Sequence, residues 1–157
     1  MLAPLPFLML YVTLSYLLIR EDIRCGILPD KFLCPLLWTG LLYHLNFHPS
    51  FLPAAVIGAV AGYLGFAFLY WGYRLIRKRE GLGYGDIKYL AALGAWHGWS
   101  VLPMIALSSA LFAAIYLLFR SWNSPGKRTL KNPLPFGPFM AAAGLLNGWQ
   151  NLINFPL

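Results

Sequence analysis

Only five acidic side chains occur in the 157 residues, and they fall in two short stretches. Glu21, Asp22 and Asp30 make up the first, Glu80 and Asp86 the second. Two carboxylates brought together from separate helix ends can share one proton and activate a water, the chemistry of an aspartic protease. Asp86 closes a glycine-rich run, Glu80-Gly81-Leu82-Gly83-Tyr84-Gly85-Asp86-Ile87-Lys88. Three glycines at alternate positions remove three β-carbons, which permits left-handed backbone angles and close approach of another polypeptide. Ile87 to Leu93 is a good helix former, so Asp86 is expected at an N-cap, accepting backbone N–H bonds. Asp22 is its natural partner. The plainer reading makes Asp86 a cap alone and pairs Asp22 with Arg20 or Arg24 as a solvated surface charge. A phosphate-binding loop is disfavoured, because the run lacks a Gly-Lys-Ser/Thr ending and no strand pattern precedes it.

The elements that must position these carboxylates are apolar. The chain is 59% hydrophobic, 17% aromatic and only 11% charged, with a mean hydropathy of +0.63. That is too apolar for a soluble domain, and the expectation is a single all-α polytopic membrane domain over residues 1–157. Runs suited to helices extend over Leu2 to Ile19, Phe32 to Phe47, Phe51 to Tyr73, Tyr89 to Trp99, Pro103 to Phe119 and Phe136 to Phe155. About six transmembrane helices are predicted, the fourth being short for a span. The first run lacks a basic flank and a small-residue cleavage site, so it reads as a retained helix, not a signal peptide. Within the third, Gly58 and Gly62 form a GxxxG, and Ala61 with Gly65 adds a second small pair for helix packing.

The net charge of +7 does not point to nucleic acid, because the basic residues are split into clusters between apolar runs. All 12 Lys and Arg fall in alternate connections: Arg20, Arg24 and Lys31; Arg74, Arg77, Lys78, Arg79 and Lys88; Arg120, Lys127, Arg128 and Lys131. Basic connections stay cytoplasmic, which predicts both termini outside and both acidic stretches inside. The basic clusters are expected to hold anionic lipid headgroups. No metal site is expected. Cys25 and Cys34 are too far apart for a CxxC half-site, and His44, His48 and His97 read as interfacial packing at outer helix ends. Tyr43, Trp71, Trp96, Trp99 and Trp149 read as interface anchors. Lys88 is a candidate for orienting a carboxylate or the substrate, and Tyr84 for lining the cleft. Helix ends and neighbouring charge predict that Asp22, beside Glu21 at a helix C-terminus, holds the shared proton, while the dipole at Asp86 favours its anion.

Three stretches together resemble a known family. Asp22 followed by Ile27-Leu28-Pro29-Asp30, then Glu80 to Gly94, then Leu134-Pro135-Phe136-Gly137-Pro138-Phe139, are similar in content and order to the type IV prepilin leader peptidases, membrane aspartic proteases of the GxGD type. The resemblance runs from the first helix to the last. It implies that Asp22 and Asp86 are the catalytic pair, with Gly83, Tyr84, Gly85, Lys88, Pro29, Asp30, Pro135 and Gly137 shaping the site or meeting the substrate. It implies as partner a type IV prepilin or a type II secretion pseudopilin, whose short basic leader is removed after a glycine at the cytoplasmic face of the bacterial inner membrane, without a cofactor. Full-length members resemble a longer design with a further N-terminal helix and a domain holding two CxxC pairs, and many methylate the new N-terminus. This chain reads as a short form, and methyl transfer is not expected of it. Two other readings compete: a catalytically idle membrane subunit of a pilus or secretion machine, and a small transporter. The transporter is disfavoured because no acidic residue falls mid-helix.

Overall fold

Runs of Leu, Ala, Phe and Val bounded by Gly and Pro produce the helices. The computed structural model describes residues 4–77, 83–123 and 134–153, which form six α-helices with no strand among the described residues. α1 (Leu5–Cys25) has proline in its first turn, where a missing N–H costs nothing. It ends at Gly26, whose left-handed φ of 65° lets its N–H reach the Asp22 carbonyl at 2.8 Å. α2 (Asp30–Phe47) starts after the extended Pro29. α3 (Leu52–Arg77), α4 (Tyr84–His97), α5 (Leu102–Asn123) and α6 (Gly137–Ile153) follow. The six expected helices are all present. Residues Lys78 to Leu82, Lys127, Arg128, Lys131 and Pro133, and the side chain of Trp149, lie outside the described residues.

Two helices are long and apolar enough to cross a membrane, Leu52–Ile76 and Leu102–Trp122. Their outer faces are covered with exposed apolar side chains such as Phe68, Ile76, Leu118 and Trp122. So extensive an apolar exterior fits hydrocarbon surroundings and not water.

α4 is the centre of the packing. It is buried from Asp86 to His97 apart from the half-buried Lys88, and it packs against α2, α3, α5 and α6, while α1 packs on α2 and α6. A helix apolar on all sides belongs in the interior. This burial corrects four readings at the outer end. Tyr43 and Trp96 are not interface anchors: their rings stack at 5.5 Å in the core, and Trp96 Nε1 donates to the Leu36 carbonyl at 2.8 Å. His44 and His97 are likewise fully buried, His44 Nε2 lying 2.9 Å from the Trp96 carbonyl and His97 Nε2 3.2 Å from the Tyr11 hydroxyl.

The GxxxG of α3 does what small residues at a helix crossing do. A β-carbon added to Gly58 would run into the Gly94 carbonyl, one on Gly94 into that of Gly58, and one on Gly62 would lie 2.8 Å from the Leu90 carbonyl. Backbone meets backbone along this seam. The second small pair does not share it, since Gly65 faces open space and Ala61 is exposed. Gly58→Ala is therefore expected to lower Tm in detergent by about 5 °C or more, because backbone cannot move aside cheaply. Gly65→Ala should leave Tm unchanged or raise it, and equal losses from both substitutions would contradict the seam.

Candidate active site

The buried face of α1 reads Tyr11, Leu14, Ser15, Leu18, Asp22. That helical spacing turns Asp22 inward at the last turn, while Arg20 and Arg24 point to the exposed side. Asp22 is 6% exposed and Asp86 7%. The surface pairing of Asp22 with a neighbouring arginine does not form: among the described residues the ion pair present is Lys88 with Asp30, at 2.7 Å.

Each carboxylate is held by a backbone N–H. Gly137, the first residue of α6, donates to Asp22 Oδ2 at 2.8 Å. A helix N-terminus has N–H groups without partners inside the helix, so an anion is well placed there. Gly83 donates to Asp86 Oδ2 at 3.2 Å, and the Asp86 N–H donates back to the Gly83 carbonyl at 3.0 Å. This reciprocal pair begins α4 one turn earlier than its sequence suggested. The N-cap is Gly83, not Asp86, and Asp86 stands at the third helical position. Gly83 is not left-handed, with φ −70° and ψ 138°. The glycines here serve approach instead. A β-carbon on Gly85 would lie 2.8 Å from that of Leu28, and one on Gly137 would lie 2.7 Å from Asp22 Oδ2.

Asp22 and Asp86 line one cavity of about 250 Å³, together with Gly26, Ile27, Leu28, Gly83, Tyr84, Gly85, Leu134, Pro135 and Phe136. Burial pushes the Asp86 carboxyl up to about 7, and the charge of Asp22 adds to the rise against the opposing Gly83 N–H. The Asp22 carboxyl is also raised by burial, with the Gly137 N–H acting against it. Burial thus pushes both carboxyls toward their protonated forms. At Asp86 desolvation outweighs the helix dipole that would favour its anion.

Of the other candidates, Gly83, Tyr84, Gly85 and Pro135 line the cavity, and Gly137 bonds to Asp22. Pro29 caps α2. Lys88 reaches Asp30, through both carboxylate oxygens at 2.7 Å, and not either buried aspartate. The Tyr84 hydroxyl lies 2.6 Å from that of Tyr63, and Lys88 Nζ 5.3 Å from the Tyr84 ring centre. Tyr63 and the wall residues Ile27, Leu28 and Phe136 were not among the expected site residues, although the last three stand inside the motifs quoted above. No group of three or more His, Cys, Asp or Glu is placed to hold a metal ion among the described residues.

The chain matches known proteins over most of its length. Residues 8–118 match the type IV leader peptidase family. The chain is 54% identical over 155 residues to the leader peptidase HopD of Escherichia coli, covering 96% of this chain and 97% of that protein. It is 54% identical over 160 residues to the leader peptidase HopD of Salmonella typhimurium, covering 99% of each. A prepilin leader peptidase/N-methyltransferase of Burkholderia pseudomallei is 49% identical over 123 residues, which are 78% of this chain and 39% of that longer protein. No solved structure matches the chain.

The raised Asp86 carboxyl has a consequence for stability that catalysis does not enter. A carboxyl whose folded pKa lies above its unfolded value contributes stability that is complete below the unfolded pKa, near 4, and is lost as pH rises through about 7. Asp86→Asn removes that loss. Its Tm should exceed that of the wild type at about pH 8, with the gap closing toward about pH 4. A wild-type Tm above that of Asp86→Asn at the higher pH would contradict the burial argument.

Proposed function

The chain belongs to the type IV leader peptidase family, and from that membership we propose that it is an aspartic endopeptidase whose Asp22 and Asp86 share one proton across the cavity. What carries the reading is the placement of two buried carboxylates on a single cavity at the ends of α1 and α4. In the working form Asp86 is protonated and Asp22 is the anion. Asp22 takes a proton from a water in the cavity as the water attacks the scissile carbonyl. Asp86 gives its proton to the carbonyl oxygen, and the leaving amine collects one as the tetrahedral intermediate collapses. The N–H groups of Gly137 and Gly83 fix one oxygen of each carboxylate, leaving the other to meet water or substrate.

The substrate in this proposal is the leader junction of a type IV prepilin or a type II secretion pseudopilin, as the names of the prepilin peptidase relatives suggest. Tyr84 stands on the cavity wall and is 47% exposed, and the Lys88 and Asp30 pair is accessible beside it. Asp30 is the anion that a basic leader residue would meet. We place the six apolar runs as spans of the bacterial inner membrane, with both termini outside and Asp22, Asp86 and the cavity at its cytoplasmic rim. The alternation of basic connections supports that orientation.

The test is cleavage of a soluble peptide spanning a prepilin leader junction, added to membrane vesicles of either orientation. Inside-out vesicles should cut it and right-side-out vesicles should not. Asp22→Asn and Asp86→Asn should each lower cleavage by about a thousandfold or more at unchanged protein level, since an amide cannot shuttle the proton. The wild-type rate should fall on the alkaline side as pH passes about 7, where Asp86 loses its proton, and on the acid side as Asp22 gains one. Full activity in either variant would remove the pair from the chemistry.

A further inference from the structure

Of the α4 residues on the cavity wall, Tyr84 is the largest, and it stands between Gly83 and Gly85. Glycine on both sides leaves the backbone there free and gives little preference for helix. The Tyr84 side chain is also half exposed. Neither its own helix nor burial fixes it, so contacts from neighbouring side chains must. Tyr63 of α3 supplies one: the two hydroxyl oxygens lie 2.6 Å apart, one donating to the other. Tyr70, two turns further along the same face of α3, meets the Tyr84 ring edge to face with centres 6.1 Å apart. The Tyr70 hydroxyl in turn accepts from Arg74 at 3.1 Å. Lys88, one turn beyond Tyr84 on α4, holds Nζ 5.3 Å from the ring centre and is tied to Asp30 of α2.

Tyr63 itself does not line the cavity. It stands within the apolar span Leu52–Ile76, where hydrocarbon offers a hydroxyl no partner. Its neighbour Gly62 is pressed against the Leu90 carbonyl at the helix crossing, so the Tyr63 backbone is fixed relative to α4. We propose that Tyr63 is a positioning residue of the site: through the hydroxyl pair it holds Tyr84 as a fixed wall on which the substrate docks beside the aspartates. The inference rests on the peptidase reading above. Without the pair, the Tyr84 ring turns on a glycine-flanked backbone and must be ordered again whenever a peptide enters. That cost falls on binding. Proton transfer is spared, because the Gly137 and Gly83 N–H groups still hold Asp22 and Asp86.

Tyr63→Phe, Tyr84→Phe and the double variant, each in the full chain reconstituted in vesicles, test this with the leader-junction peptide. Each single change keeps the ring and removes one hydroxyl. Tyr63→Phe should raise KM about fivefold, the loss of one interhelical hydrogen bond, with kcat within about twofold of wild type. Tyr84→Phe should do the same, and the double variant should be no worse than either, because the bond is lost only once. An unchanged KM in Tyr63→Phe overturns the proposal. So does a fall in kcat alone, which reports a general structural loss. A double variant whose KM rises about twenty-fivefold shows two hydroxyls acting independently, and overturns it too. If Tyr63→Phe fails to accumulate, Tyr84→Phe decides: a raised KM with kcat held supports the pair, and an unchanged KM removes it. Asp22→Asn in the same assay separates the two levels. Cleavage by Asp22→Asn removes the peptidase reading itself, whereas a dead Asp22→Asn beside an unchanged KM in Tyr63→Phe removes the role of Tyr63 only.

Discussion

The burial of two like-charged groups against one another is the constraint on which the rest of this structure turns. Separately, Asp22 and Asp86 would each favour water. Together at one cavity they cannot both ionise cheaply, and in the proposed mechanism they share one proton. Everything that holds the helix ends in place keeps that conflict from relaxing. Gly26 stops α1 one turn after Asp22, Gly83 starts α4 one turn before Asp86, and the N-terminus of α6 abuts the Asp22 carboxylate. Side chains at Gly83 and Gly137 would press on the Asp86 and Asp22 carboxylates, whereas Gly26 is required by its left-handed φ.

The remote half of the molecule serves the same end. α4 carries Asp86 into the centre of the bundle because its other faces meet α2, α3, α5 and α6. The backbone-to-backbone seam of Gly58 and Gly94 fixes its depth. Trp96 and His97 anchor its far end through the Leu36 carbonyl and the Tyr11 hydroxyl. A helix held at both ends cannot slide to bring Asp86 out to solvent. Contacts far from the cavity therefore help to keep Asp86 buried, and burial is what raises its carboxyl.

Much of this was legible in the residues. The pair was readable because acidic residues are so scarce that Asp22 and Asp86 stand out, and because the motifs around them occur in a recognisable order. The six helices were readable from six apolar runs, and the close crossing of α3 from Gly58 and Gly62. Other features depend on contacts distant in sequence. Tyr84 and Gly85 read as loop because glycine disfavours helix, but the reciprocal bonds between Gly83 and Asp86 outweigh that preference and start α4 early. Tyr43 and Trp96 have the composition of an aromatic belt, and only the central position of α4 shows them to be core. The Lys88 and Asp30 pair joins residues 58 apart, so no local pattern announces it. Helix dipoles and neighbouring charges can be read from sequence, whereas the burial that raises both carboxyls cannot.

The proposed mechanism depends most directly on a single carboxyl that remains protonated close to neutral pH. Infrared difference spectroscopy of the purified chain in lipid, titrated from about pH 4 to pH 9, would observe it without any substrate. One protonated-carboxyl band should persist above the range of ordinary aspartates, disappear as pH passes about 7, and be absent from Asp86→Asn. Complete ionisation of all carboxyls by about pH 5, or a persisting band that survives in Asp86→Asn, would contradict the shared proton and with it the mechanism.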